Sequence, residues 1–128
     1  MRPKRLQERM DELERETAGN SRLNLWIAFN YGGRAELVEA ARRLVEDGVP
    51  AADVSEDTLA ERLYAPELPD PDLLVRTSGE RRISNFLLWQ LAYSELVFTD
   101  TLWPDFGPDE LRTAVDEYAQ RRRRFGGR

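Results

Sequence analysis

Residues 70–95 read DPDLLVRTSGERRISNFLLWQLAYSE, and this stretch decides the fold class. Prolines at its start exclude a helix and favour an extended entry. The apolar run of residues 72–75 is typical of a short strand that is buried on both faces. Residues 76–82 are polar and predict a loop, and residues 86–93 predict a largely buried helix. The order is therefore strand, arginine-rich loop and helix.

The loop of this stretch, RTSGERR at residues 76–82, places three arginines, two hydroxyls and a glycine together. Ser84 and Asn85 behind it are both good N-caps for the predicted helix. Ligands of open α/β sheets bind beyond the carboxyl ends of the strands, and helix starts favour anions. Arginine forks match phosphate oxygens in pairs. The stretch predicts a phosphate or diphosphate pocket, and a surface loop with solvated arginines remains the alternative.

The remaining chain alternates predicted helices with predicted strands. Helices are predicted over residues 4–18, 35–47, 55–63 and 108–123, and strands over residues 22–30 and 94–98. Residues 22–30 alternate with period two and carry apolar side chains on both faces, so this strand is expected to be internal in a sheet. The alternation predicts a single domain of the α/β class, with a mainly parallel sheet flanked by helices.

A second glycine-rich turn follows the strand of residues 22–30. Its sequence is YGGR, residues 31–34, and its two glycines permit positive φ and a close approach of the backbone to a ligand. The next helix is expected to bury one stripe, made of Leu37, Ala41, Leu44 and Val45. Two strand, turn and helix units thus each carry an arginine at the carboxyl end of a strand.

Composition excludes several classes of function. The chain has 128 residues and a net charge of −5, which argues against a general nucleic-acid binder. It has no cysteine and no histidine, which removes disulfides, thiolate metal sites and Ser-His-Asp triads. Chemistry must rest on carboxylates, arginines and backbone groups, with or without a hard cation. Glu95 is flanked by apolar residues, and we expect it to be paired with an arginine or bound to a cation.

Several motifs together resemble the cis-prenyltransferases, the undecaprenyl or decaprenyl diphosphate synthases. They are NYGGR at residues 30–34, DPDLLVRTSGE at 70–80, RISNFLLWQ at 82–90, YSEL at 93–96, WPDF at 103–106 and RRFGG at 123–127. The resemblance implies the C-terminal part of that family's fold. It also implies the reaction, in which an allylic diphosphate and isopentenyl diphosphate condense to lengthen a Z-configured polyprenyl diphosphate.

The resemblance also implies site residues. Isopentenyl diphosphate would bind to Arg76, Arg82, Ile83 and Ser84, and Glu95 would reach a Mg²⁺ ion on the leaving diphosphate. Supporting positions are Asn30, Arg34, Glu80, Asn85 and Arg124, of which Glu80 would orient the arginines. Arg124 would cross a dimer interface into the pocket of a partner chain.

One family motif is absent, since the sequence contains no Asp-Gly-Asn-Gly-Arg phosphate loop, whose aspartate is the family's catalytic carboxylate. We therefore expect this chain to be the C-terminal part of one prenyltransferase domain, inactive alone. The alternatives are a non-catalytic subunit that lends Arg124 to a complete prenyltransferase chain, and an anion-binding module without chemistry. The expected state is a homodimer or heterodimer. The expected location is the cytoplasm or the membrane periphery, where the lipid product would join the membrane.

Overall fold

The computed structural model describes residues 3–124, with side chains described as far as Arg121. Four helices and two strands follow one another along this part: α1 (Lys4–Thr17), α2 (Gly33–Glu46), α3 (Glu56–Ala60), β1 (Leu73–Arg76), β2 (Glu95–Phe98) and α4 (Pro108–Arg124). Short 3-10 turns cover Ala51–Asp53 and Trp103–Asp105. Within the described residues, no helix has the length and apolar character needed to cross a lipid bilayer.

The two strands are parallel and lie side by side. Leu73 faces Glu95 and Arg76 faces Phe98, so the strands are in register over their whole length. α4 packs against β2, and α2 packs against α3. The buried apolar residues form a small core: Ala40, Leu44, Leu63, Leu91, Val97 and Ala114. Parallel strands flanked by helices confirm the predicted α/β class.

Helix boundaries follow local capping signals. Ser55 caps α3, because its hydroxyl accepts a hydrogen bond from the Thr58 amide at 3.1 Å while its own amide donates to the Thr58 hydroxyl at 2.8 Å. α4 begins with Pro108 at a position where the missing N–H costs nothing. Gly48 follows α2 with φ of +69°. The four helices predicted over residues 4–18, 35–47, 55–63 and 108–123 are confirmed in place, although α3 ends at Ala60, before residue 63.

The buried stripe of α2 differs from the predicted one. Gly33, Glu36, Ala40 and Leu44 are buried, whereas Val45 is 79% exposed. The prediction followed apolar residues alone, so it excluded Glu36 from the inner face. The observed stripe has the same helical spacing but is rotated by about one residue.

The expected internal strand over residues 22–30 was wrong, since the described structure assigns no strand there. Leu23, Leu25 and Ile27 are 78%, 76% and 66% exposed. A period-two pattern reports the ability to pair and to bury a face, but a strand also needs a neighbour to complete its hydrogen-bond ladder. Neither β1 nor β2 pairs with this segment, so its apolar side chains face solvent.

The expected buried helix over residues 86–93 was also wrong, because the segment is a succession of turns. Ser84, Asn85 and Leu87 have φ of +48°, +64° and +47°, in the left-handed region, which a right-handed helix cannot contain. Most of its backbone hydrogen bonds join residues that are three apart in sequence, whereas those of an α-helix join residues four apart. The bond from the Phe86 amide to the Ile83 carbonyl is an example. Ser84 and Asn85 are therefore not N-caps of a helix over residues 86–93, and no helix start offers free N–H groups there.

Candidate anion-binding site

The loop after β1 is anchored to the segment after β2. The amide of Ser78 donates to the carbonyl of Thr101 at 2.8 Å, and that of Gly79 donates to Thr99 at 3.0 Å. Gly79 has φ of +73°, and a Cβ there would lie 3.3 Å from the Asp100 carboxylate, so this turn suits glycine. The anchoring holds the loop at the carboxyl ends of both strands, where ligands of parallel sheets bind.

Three charged residues of this loop contact one another. The Arg76 guanidinium donates from Nη1 to the carbonyl of Arg82 at 3.3 Å, and Arg82 Nη2 lies 2.7 Å from Glu80 Oε2. The Arg82 side chain remains 70% exposed, so most of its donors are accessible. Glu80 thus contacts Arg82, one of the two arginines it was predicted to orient. The cluster presents guanidinium donors at the edge of the sheet.

The turn at residues 83–87 touches the start of α2. The main-chain carbonyl of Asn85 accepts from the Gly33 amide at 2.7 Å, and its side-chain Oδ1 accepts from the Arg34 amide at 2.9 Å. The structure therefore brings Arg34 next to the segment that carries Ile83 and Ser84. Asn30 lies just before the YGGR turn of residues 31–34, with φ of +55°.

The two glycines of the YGGR turn approach protein atoms. A Cβ on Gly33 would lie 2.8 Å from Leu88 Cγ and 3.0 Å from the Asn85 carbonyl oxygen. Gly32 is extended, with φ of −143°, and neither glycine has a positive φ. The backbone of this turn was predicted to come close to a ligand. In this structure it comes close to Asn85 and Leu88 instead.

Glu95 lies at the other end of the sheet. It faces Leu73, whereas Arg76 faces Phe98, so Glu95 and Arg76 are three residues apart along the strands, about 10 Å. Its Oε2 lies 3.7 Å from Nη1 of Arg121, which also donates to the carbonyl of Leu96. Arg121 Nη2 lies 2.5 Å from Glu117. The structure gives Glu95 the arginine partner that was one of its two expected environments.

Among the described residues, Glu95 is the predicted ligand of the expected Mg²⁺ ion. No three carboxylates within residues 3–121 are grouped closely enough to hold a metal ion. Glu95 shares Arg121 with Glu117, which lies closer to it, and Mg²⁺ is usually held by one or two carboxylates together with waters and substrate phosphates. The prediction for Arg124 concerns a side chain that lies outside the described residues. Phe125 and Gly126 lie outside them as well.

Sequence reasoning missed a buried polar cluster behind the site. Glu36 is only 3% exposed, and its carboxylate accepts from the Gln90 side chain at 3.1 Å, from the Tyr64 amide at 3.0 Å and from the Tyr31 hydroxyl. Burial raises the pKa of Tyr31 above its usual range, and the Glu36 carboxylate raises it further. The one signal in the sequence is the spacing of Glu36 from Gly33, Ala40 and Leu44.

Comparison with known proteins places this fold in a known group. The family model described as undecaprenyl diphosphate synthase matches residues 1–126. An isoprenyl transferase of Fusobacterium nucleatum subsp. nucleatum is 54% identical over 125 residues, which are 98% of this chain and 53% of that protein. A (2E,6E)-farnesyl-diphosphate-specific ditrans,polycis-undecaprenyl-diphosphate synthase of Xanthomonas axonopodis pv. citri is 53% identical over 125 residues, 94% of this chain and 49% of that protein.

A solved structure agrees with these sequence matches. Lavandulyl diphosphate synthase from Lavandula x intermedia, crystallised with dimethylallyl diphosphate, superposes with a TM-score of 0.83 at 39% identity. The superposition covers 91% of this chain and 52% of that one. The chain spans about half the length of the relatives it matches.

Proposed function

Because this chain belongs to the undecaprenyl diphosphate synthase family, we propose that it carries the isopentenyl diphosphate side of a cis-prenyl elongation site. In the proposed reaction an allylic diphosphate loses its diphosphate group. C1 of the allylic chain bonds to the terminal alkene carbon of isopentenyl diphosphate. The isopentenyl unit then loses a proton. The product is a longer polyprenyl diphosphate, a lipid carrier precursor that joins the membrane.

One observation supports this proposal above the others: Arg76 and Arg82 share the anchored loop at the carboxyl ends of β1 and β2. Guanidinium groups in such a position can bind the oxygens of a diphosphate in pairs. Glu80 would orient the Arg82 fork through their ion pair. Ser84 is exposed on the adjacent turn and would donate its hydroxyl, next to the backbone of Ile83.

Two further elements belong to the proposal. Arg34 and Asn30 would border the same pocket from the start of α2. Mg²⁺ is part of the proposal together with carboxylates from outside the described residues. Glu95 would add one ligand to that set. The chain would also form a dimer, either with a second copy of itself or with another prenyltransferase chain. Arg124 would then enter the pocket of that partner.

Substitution of the loop arginines tests the binding role. We expect Arg76→Ala and Arg82→Ala each to weaken the binding of isopentenyl diphosphate by about 10- to 100-fold, because each removes charge-assisted hydrogen bonds. Isothermal titration calorimetry measures the dissociation constant at low salt. Arg112→Ala is the matched control, since Arg112 is an exposed arginine on α4 that pairs with Asp109 at 3.1 Å. Equal affinities for all four proteins would contradict the proposal.

Turnover tests the expectation that the chain is inactive alone. Purified by itself, it should incorporate no labelled isopentenyl diphosphate into polyprenyl diphosphate. Addition of a family polypeptide that contains the Asp-Gly-Asn-Gly-Arg loop should give incorporation. Robust turnover by the chain alone would refute the need for that loop. If the added polypeptide is already a complete enzyme and Arg124→Ala abolishes the gain, the chain is an accessory subunit instead.

A further inference from the structure

Asn85 joins the two arginine-bearing turns of the structure. Its carbonyl and its Oδ1 accept hydrogen bonds from two successive amides at the start of α2, those of Gly33 at 2.7 Å and Arg34 at 2.9 Å. These are amides that lack a partner inside their own helix. Asn85 therefore caps α2 from a segment far away in the sequence, and both of its acceptor groups face protein.

The backbone around Asn85 is adapted to this contact. Ser84 and Asn85 have successive left-handed conformations, with φ of +48° and +64°. Asparagine adopts this region more readily than most residues, whereas serine does so at a cost. Gly32 and Gly33 leave room for the turn, since a Cβ on Gly32 would lie 3.1 Å from Asn85 Nδ2. The two segments are thus shaped to fit each other at close range.

We propose that Asn85 is a positioning residue that sets the separation between Arg34 and Ser84, and with it the shape of the anion pocket. The inference rests on the proposed function, because it concerns the same diphosphate site. The two Asn85 acceptors point to α2, so the residue acts on the ligand through its neighbours. If this tie is lost, the α2 start and the turn at residues 83–87 can move apart, and Arg34 and Ser84 no longer address one ligand.

Asn85→Gly separates this role from a merely structural one. Glycine accepts the left-handed backbone but lacks Oδ1, so the fold is expected to persist. We expect the affinity for isopentenyl diphosphate to fall about tenfold, as for one lost hydrogen bond that orders a site, while the melting temperature changes by only a few degrees. Asn20→Gly, an exposed asparagine beyond α1, should leave both quantities unchanged.

Amide hydrogen exchange, followed by NMR, supplies a readout that does not depend on the ligand. The Arg34 amide should exchange slowly in the wild type, quickly in Asn85→Gly, and slowly again in Asn85→Asp, which retains an oxygen acceptor. Fast exchange of Arg34 in the wild type would overturn the inference whether or not the glycine variant folds.

The results also separate the inference from the proposed function. If the wild type binds no isopentenyl diphosphate, the proposed function fails and the inference falls with it. If the wild type binds and Asn85→Gly binds equally well, the inference alone is wrong. Loss of affinity in Asn85→Gly with retained fold supports both.

Discussion

Glu36→Ala is expected to lower the stability of the described fold strongly. The Glu36 carboxylate is the common acceptor for the Tyr31 hydroxyl, the Tyr64 amide and the Gln90 side chain. Alanine would leave the buried Gln90 amide and two part-buried donors, the Tyr31 hydroxyl and the Tyr64 amide, without this acceptor, at a combined cost of roughly 2–4 kcal/mol. Since a small domain is stable by only about 5–15 kcal/mol, the loss should be visible as a large shift of the urea midpoint.

Glu39→Ala is the matched control for this prediction. Glu39 lies on the same helix and pairs only loosely with Arg42 and Arg43, at 3.8 and 3.4 Å. Partly exposed pairs of this kind contribute about 0–1 kcal/mol, so its urea midpoint should barely move. The urea midpoint of Glu36→Gln should lie between those of the two alanine variants. Glutamine keeps the volume and one oxygen acceptor but directs an amide group at another donor. Equal midpoints for Glu36→Ala and Glu39→Ala would refute the role of the cluster.

Self-association of the chain is the second large effect that we expect. Leu23, Leu25 and Ile27 occupy alternate positions of one segment. Their side chains are 78%, 76% and 66% exposed. Burial of such side chains is worth about 1.5–3 kcal/mol each, which favours a contact that covers all three. Sedimentation velocity should therefore show dimers or larger species at micromolar concentration.

Lysine substitution at these three positions tests whether this segment is responsible. The triple variant Leu23→Lys, Leu25→Lys and Ile27→Lys should sediment as a monomer, because lysines remove the exposed apolar surface that association would bury. Asn20→Lys and Asn24→Lys together control for added charge near the same segment and should leave association unchanged. A wild-type chain that is monomeric at high concentration and melts cooperatively would contradict the prediction.

Elements with local signals were predictable from the sequence. Ser55 and Pro108 mark helix starts by their own chemistry, and the structure has helices beginning at both places. The β1 and β2 runs are apolar and short, and the structure pairs them in parallel. The loop arginines Arg76 and Arg82 also follow their strand closely, so their position at its carboxyl end was predictable.

Elements whose state depends on distant contacts were not predictable in this way. Residues 86–93 have the composition of a buried helix, but the turn before them is held left-handed by its contact with α2. Residues 22–30 have the pattern of an internal strand, but neither β1 nor β2 pairs with them. A pattern states what a segment can form, and its partners decide whether it does.

The residues alone were enough to predict the α/β class and the arginine loop, because capping and apolar periodicity are properties of short segments, and the family was identified by the resemblance of its motifs. Tertiary contacts alone decided that Glu36 is buried, that Asn85 caps α2 and that Glu95 pairs with Arg121 at the edge opposite Arg76. The physical reason is that the state of a charged or polar side chain depends on which donors surround it. Those donors come from segments far apart in the chain.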